Sequence, residues 1–192
     1  NCIASGDVKN TYGTGCFALT NTGSDIVHSN NGLLSTVAYQ KDGDKPQYAI
    51  EGSVSIAGAA VQWLRDNLNI IKESSEVEAL AMAEKDNGDV YFVPAFSGLF
   101  SPHWDETARG VLVGLSRFSN KSHIARAVLE SVAYQSNELL ESMEKDIGIT
   151  FESVNVDGGM VVNNLLMQFQ SDIFNKKVIS QEINEITALG AG

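Results

Sequence analysis

The sequence predicts an α/β layer fold, a mixed sheet flanked by helices with the element order βββαβαβα. Three observations carry that expectation. The opening third is a series of extended segments separated by turn signals. The remainder alternates apolar runs with stretches of helical spacing, which is the pattern of a layered α/β domain. The 192 residues are 43% hydrophobic, enough at this length to enclose a sizeable core.

The elements follow in order. TYGTGCFALTNT, residues 11–22, reads as one strand, bent where Gly13 and Gly15 interrupt its β-formers, and TGSD as a turn. GLLSTVAYQ and QYAIEGSVS read as strands joined by KDGDKP, in which Asp-Gly and Pro are turn signals. These three strands form an antiparallel meander. Residues 55–68 have helical periodicity, with Ser53 or Ser55 as cap. SSEVEALAMAEKD is a second helix, with Ser74 or Ser75 as N-cap and a solvated outer face. GDVYFVPAFSGL is a strand ending at Pro94, and RGVLVGLS another. Residues 120–148 form a long helix with a stripe of Ile124, Ala127, Val128, Ser131, Val132 and Gln135, closed by Gly148. FESVNVDGGM is a short strand running into a glycine pair, NNLLMQFQSDIF a helix, KVIS a strand, and EITALGAG the start of a last helix.

Charge and composition exclude several functions. Thirteen basic against twenty-four acidic residues give a net charge of −11, so no basic stripe is present to neutralise a nucleic acid. One nucleotide held by backbone amides needs no such charge. No apolar run spans a membrane. Cys2 and Cys16 have no metal or redox spacing and read as reduced thiols. The chain begins without Met and stops one or two turns into a helical pattern, so both ends read as cuts in a longer protein.

Three small-residue sites stand out: Gly13-Thr14-Gly15, Asp157-Gly158-Gly159 between a strand and a helix, and Ala57-Gly58-Ala59-Ala60. In open α/β sheets, ligands bind beyond the carboxyl ends of strands, where glycine admits them and helix N-termini favour anions. A plain turn glycine is the competing reading for each. No Walker GxxxxGK[ST] sequence is present, and no GxGxxG falls between a strand and a helix. His28, His103 and His123 are scattered, and His123 reads as a surface or capping residue. Trp63 and Trp104 read as packing residues. Asp157 reads as holding its turn by hydrogen bonds rather than positioning Mg²⁺, and Phe17 by itself reads as a core aromatic.

Taken together, KNTYGTGCF, EGSVSIAGAAVQWLRDNL, VPAFSGLFSPHWDETARGVLVGLSR, HIARAVLESVAYQ, VDGGMVVNNLLMQFQSDI and EITALGAG resemble the FGGY carbohydrate kinases. The resemblance runs in order over nearly the whole chain. Gly110–Glu130 looks like the second family signature. The TYGTG and SPHWDETARG forms favour the branch that phosphorylates glycerol over the sugar kinases. The resemblance implies that residues 1–192 are a single domain, the C-terminal one, of the ribonuclease-H-like, actin-like ATPase fold. It implies ATP and Mg²⁺ as cofactors and a phosphate loop at Gly13-Thr14-Gly15, where a side chain on either glycine would hold the phosphate off. Gly58 and Gln62 match positions beside the nucleotide; Gly159, next to Gly158, and Asn163 match its adenosine side. Phe17 matches an aromatic that packs on the carbon backbone of glycerol.

The family's catalytic carboxylate lies in a Gly-Asp-Gln segment upstream of Asn1, so no catalytic residue is assigned here. Ser5-Gly6-Asp7 is a decoy. The glycerol-clamping residues belong to an N-terminal domain outside this chain, so the chain alone is expected to be inactive. Another FGGY sugar or polyol kinase is the alternative, and a non-catalytic actin-like nucleotide-binding module a second, against which SPHWDETARG speaks. A cytoplasmic homo-oligomer without nucleic-acid or membrane partners is the accompanying expectation.

Overall fold

The computed structural model describes residues 2–180. The expected single bent strand at the start is instead a hairpin. β1 (Val8–Tyr12) and β2 (Cys16–Gly23) run antiparallel, with Tyr12 opposite Cys16. Only Gly13, Thr14 and Gly15 remain for the turn, which the Gly13 N–H closes by donating to the Gly15 carbonyl at 2.9 Å. β-Formers on both sides of the glycines supply two strands rather than one.

β3 (Leu34–Tyr39) and β4 (Gln47–Val54) complete the antiparallel part of the sheet. β7 (Ser153–Asp157) and β8 (Lys177–Ser180) extend it in parallel from β1, giving the strand order β3-β4-β2-β1-β7-β8. The sheet is mixed, as expected. β5 (Tyr91–Val93) and β6 (Val111–Val113) depart from the expected alternation and form a separate two-stranded antiparallel sheet.

The helices are α1 (Gly58–Asp66), α2 (Glu76–Ala81), α3 (Lys121–Ile147) and α4 (Asn164–Phe174), with one 3₁₀ turn at Gly159–Val162. Neither expected serine caps α1: Ser53 lies in β4, and the N-cap is Ala57, without a side-chain bond. Ser75 stands at the N-cap of α2 but makes no capping bond, and the helix stops well short of residue 86. α3 is capped as its sequence suggests. Asn120 and His123 form a reciprocal capping box, and Gly148 ends the helix at φ 71°.

The expected stripe on α3 is too narrow. Ala125, Leu129 and Ala133 are buried along with Val128 and Val132, whereas Ile124 and Gln135 are only half-buried. The helix crosses β2 and β4 and also packs against α1, α2 and α4, so it buries more than one face. Its two halves serve two apolar clusters, one under the sheet and one among α1, α2 and β5; Met160 touches both. The sheet cluster encloses a polar chain: the Tyr12 hydroxyl donates to Gln170 Oε1 at 2.7 Å, and Gln170 Nε2 donates to the Ala133 carbonyl at 3.2 Å. Both cysteines are free, as expected, and burial pushes the Cys16 thiol up to about 12. EITALGAG (185–192) lies outside the described residues.

Candidate functional site

A cleft of ≈ 570 Å³ opens where the two clusters meet. Six of the residues singled out from the sequence line it: Gly13, Thr14, Gly58, Gln62, Gly159 and Asn163. The β1–β2 turn forms one end, α1 one wall, and the Gly159–Asn163 segment the other.

The turn is docked on the N-terminus of α1 by backbone alone. The Ala57 and Ala59 N–H groups donate to the Thr14 carbonyl at 2.8 and 3.0 Å, and the Gly58 N–H to the Gly13 carbonyl at 3.0 Å. The amides that open the helix are therefore spent on the protein and do not face an anion, contrary to the expectation for a helix N-terminus. These bonds turn the carbonyls of the loop away from the cleft. Among the described residues, nothing accepts the Thr14 N–H, and Thr14 is exposed. A loop with its carbonyls tied back and an amide and a hydroxyl outward is an anion nest without formal charge. The small residues of Ala57–Ala60 permit the docking. A Cβ on Gly58 would stand 2.6 Å from the Gly13 carbonyl oxygen.

The glycines divide by cause. Gly159 faces open space, with nothing within 4 Å of an added Cβ, so its lack of a side chain leaves room for a ligand. Gly13 is likewise uncrowded, its nearest neighbour being 3.7 Å away. Gly15 and Gly158 do not line the cleft. A Cβ on Gly15 would sit 2.4 Å from the Val54 carbonyl, and one on Gly158, at φ +96°, 2.4 Å from the Tyr12 carbonyl. Both are glycine because the chain passes too close, not because a phosphate does, which corrects the steric reason expected for Gly15.

Asn163 is buried and caps α4, its Oδ1 accepting from the Leu166 N–H at 2.8 Å. Its Nδ2 amine is what it can offer a ligand. Gln62 lies one turn beyond Gly58 on the same face of α1. Phe17 is no core aromatic: it is 59% exposed, because Cys16 and Ala18 on either side take the buried face of β2. It stands between Thr11 and Ser53 on the opposite face, outside the cleft.

Asp157 does not hold its turn by hydrogen bonds as expected. Its carboxylate is 3% exposed, and Oδ2 has no hydrogen-bond partner, though the Lys9 ammonium lies 3.9 Å away, within ion-pair range. Trp63 packs as expected, stacked on Phe92 with centroids 5.4 Å apart. Trp104 is half-exposed, stacks on Phe100 and donates to the Gly32 carbonyl at 2.7 Å, tying two loops together. The sequence reading missed one cleft residue of chemical weight, Glu78, which was expected on a solvated helix face. Its Oε1 accepts the Leu165 N–H at 2.9 Å. Helical spacing around Val77 signals that side of α2 only once the partner of the helix is known.

The model of the FGGY family of carbohydrate kinases, C-terminal domain, matches residues 8–191. The chain belongs to the FGGY family. The chain is 62% identical over 190 residues to a glycerol kinase of Brucella anthropi and 59% identical over 190 residues to one of Methylobacterium radiotolerans. Both matches cover 99% of this chain but only 38% of those proteins, so the chain spans well under half the length of the curated relatives it matches. Among solved structures, the glycerol kinase of Plasmodium falciparum with ADP superposes with a TM-score of 0.90 at 44% identity, over 97% of this chain and 37% of that one. The gluconate kinase of Lactobacillus acidophilus shares the fold at 22% identity, with a TM-score of 0.80 over 98% of this chain and 39% of that one. The fold is thus the ribonuclease-H-like, actin-like ATPase fold of the FGGY kinases. No helix among the described residues is long and apolar enough to cross a membrane.

Proposed function

We propose that this chain is the nucleotide-binding half of a kinase that transfers the terminal phosphoryl group of ATP to glycerol, giving sn-glycerol 3-phosphate and ADP. The observation that carries the reading is the docked turn: Thr14 presents an N–H and a hydroxyl to the cleft while α1 holds the loop carbonyls away. The glycerol kinases among its relatives, and the ADP in the Plasmodium structure, support the choice of nucleotide and acceptor.

In this mechanism the turn donates to the terminal phosphates and fixes their position. Gly159 admits the nucleotide close to the backbone, the Asn163 side-chain amide orients the adenosine side, and Gly58 and Gln62 stand beside the nucleotide. Phe17 offers an exposed ring to the carbon backbone of glycerol. Gly158, set by its contact with Tyr12, holds the Gly159 segment in register with β1.

Among the described residues no cluster of side chains forms a metal site. The residues fit a Mg²⁺ carried on phosphate oxygens, which it binds with few protein ligands and retained waters. Asp157, at the end of β7 with a buried Oδ2 that accepts no hydrogen bond, would be this chain's candidate to hold it through water. Mg²⁺ would neutralise the charge that develops on the transferred group. The proton of the glycerol hydroxyl goes to a carboxylate supplied from outside this chain. A cytoplasmic, self-associating enzyme without nucleic-acid partners is part of the same proposal.

The test is calorimetric titration of ADP into the full-length protein, wild type against Gly159→Val, with competition among glycerol, xylulose and gluconate in a coupled ADP-release assay. Gly159→Val puts its side chain into open space, so the fold should survive while ADP affinity falls at least about tenfold, as a filled site requires. Unchanged affinity, or preference for a sugar, would overturn the reading.

A further inference from the structure

We infer that Glu78 reads the nucleobase: its second carboxylate oxygen accepts the exocyclic amine of a 6-aminopurine, which selects adenine over 6-oxopurines. The inference rests on the nucleotide reading of the cleft and concerns which base that cleft takes.

Among the described residues Glu78 is the only carboxylate lining the cleft. The Leu165 N–H, held at 2.9 Å on Oε1, fixes the orientation of the group. Among the described residues Oε2 has no partner. An ionised carboxylate accepts and cannot donate, so its ligand must bring a donor.

Charge sets the orientation of the ligand. Phosphates placed beside Glu78 would meet a like charge, whereas the Thr14 end offers an amide and a hydroxyl. The phosphates therefore take the hairpin end and the base takes the α2 end. α2 packs on α3 and α4. The walls there are apolar, with Val61, Val77, Met160 and Val162 lining the cleft, which suits a flat ring whose edge carries the polar groups.

A 6-amino group donates to Oε2. A 6-oxo group in the same place would set an acceptor against an acceptor, and the ring would have to shift to offer its N1–H instead. Sites built around one hydrogen bond reject the mismatched analogue more strongly than sites built on shape alone.

The experiment uses the full-length kinase, wild type and Glu78→Gln, titrated with ADP and with inosine diphosphate. Gln keeps an oxygen for the Leu165 N–H and places an amide donor where Oε2 was. Wild type should prefer ADP by at least about tenfold. Glu78→Gln should lose most of that preference, because its donor suits the 6-oxo group. An ADP-to-IDP ratio that is the same in both proteins overturns the inference, as does a wild type without preference. Binding of neither nucleotide by wild type overturns the nucleotide reading beneath it. Should Glu78→Gln fail to fold, wild type titrated with N6,N6-dimethyl-ADP decides the matter, because that analogue has no amine hydrogen to donate. Weakening of about tenfold or more supports the inference, and affinity equal to that of ADP overturns it.

Discussion

Gly58→Ala should unseat the phosphate turn without touching a ligand. The added Cβ would lie 2.6 Å from the Gly13 carbonyl oxygen, and ordinary contact begins at 3.4 Å, so turn and helix must part by the difference, 0.8 Å. That opening acts on the three backbone bonds from Ala57, Gly58 and Ala59, now at 2.8, 3.0 and 3.0 Å. A hydrogen bond contributes roughly 0.5–1.5 kcal/mol net, so losing all three costs roughly 1.5–4.5 kcal/mol. The better helix propensity of Ala returns up to about 1 kcal/mol. A net loss of roughly 2 kcal/mol is expected, lowering the melting temperature of this domain by about 4–8 °C. ADP affinity should fall with it, because the carbonyls are no longer tied back. Gly159→Ala is the control: its Cβ meets nothing, so stability should stay within about 0.5 kcal/mol. Thermal melts and ADP titrations on the same samples make the comparison. A Gly58→Ala protein that melts within about 1 °C of wild type and binds ADP equally well would refute the docking argument.

Tyr12→Phe removes the donor to Gln170 Oε1 inside the sheet cluster and should cost about 1–3 kcal/mol in urea unfolding, with part regained on adding Gln170→Met. Asp146 is pushed up by burial, but hydrogen bonds from Ser29, Asn31 and the Asn30 amide outweigh this and hold it below the usual carboxylate range. A depressed pKa contributes stability above the unfolded value of about 3.9 and loses it as pH falls through the folded value. Asp146→Asn should therefore lower the melting temperature at neutral pH and flatten its decline in acid, and parallel acid profiles would argue against this. Gly15→Val should fail chiefly in folding, since its Cβ meets the Val54 carbonyl, and a protein as stable as wild type would count against the contact. Asp7 accepts from the Ile3 and Ala4 amides at 3.0 and 2.8 Å, and the five residues of β1, at ~3.4 Å each, put it about 17 Å from the turn. Asp7→Asn should thus leave glycerol-stimulated ADP release by the full-length kinase unchanged, and a tenfold drop (about 1.4 kcal/mol) would contradict the decoy assignment.

What the sequence made legible was periodicity and punctuation. The long α3 was readable from its apolar spacing and from Gly148, and the mixed sheet from the change of strand spacing along the chain. Six cleft residues were readable because three short glycine-bearing segments share one family pattern. What stayed hidden depends on the partner across a contact. TYGTGCFALTNT shows β-formers on both sides of two glycines, and a bend and a hairpin differ only in whether Tyr12 finds Cys16 opposite. Ser53 and Ser55 are good caps by composition, yet the amides of α1 are claimed by carbonyls forty-odd residues away (Gly13 and Thr14). Gly15 and Gly159 look alike in sequence; only the neighbour of a missing Cβ separates a close chain crossing from room for a ligand. Glu78 belongs to a charged hexapeptide helix, and nothing within that helix tells that α4 waits beside it.

The net charge of −11 and the proposed polyphosphate ligand are reconciled by the same backbone arrangement. Long-range charge on this chain opposes the approach of a nucleotide, but at physiological salt that repulsion is screened beyond about 8 Å. Within the cleft, the local groups decide. A turn whose carbonyls faced outward would present negative oxygen to the phosphates; the donors from Ala57, Gly58 and Ala59 prevent this by holding Gly13 and Thr14 carbonyls inward. The helix therefore supports the anion site at one remove, through the turn rather than through its own free amides. The Glu78 carboxylate at the other end then has a use that a neutral residue would lack. It disfavours the reversed ligand, phosphates at α2, while costing little in the productive orientation. Adding positive charge at that end should consequently not help: Glu78→Lys would attract phosphate to the wrong place, and ADP affinity should fall although the net charge becomes less negative.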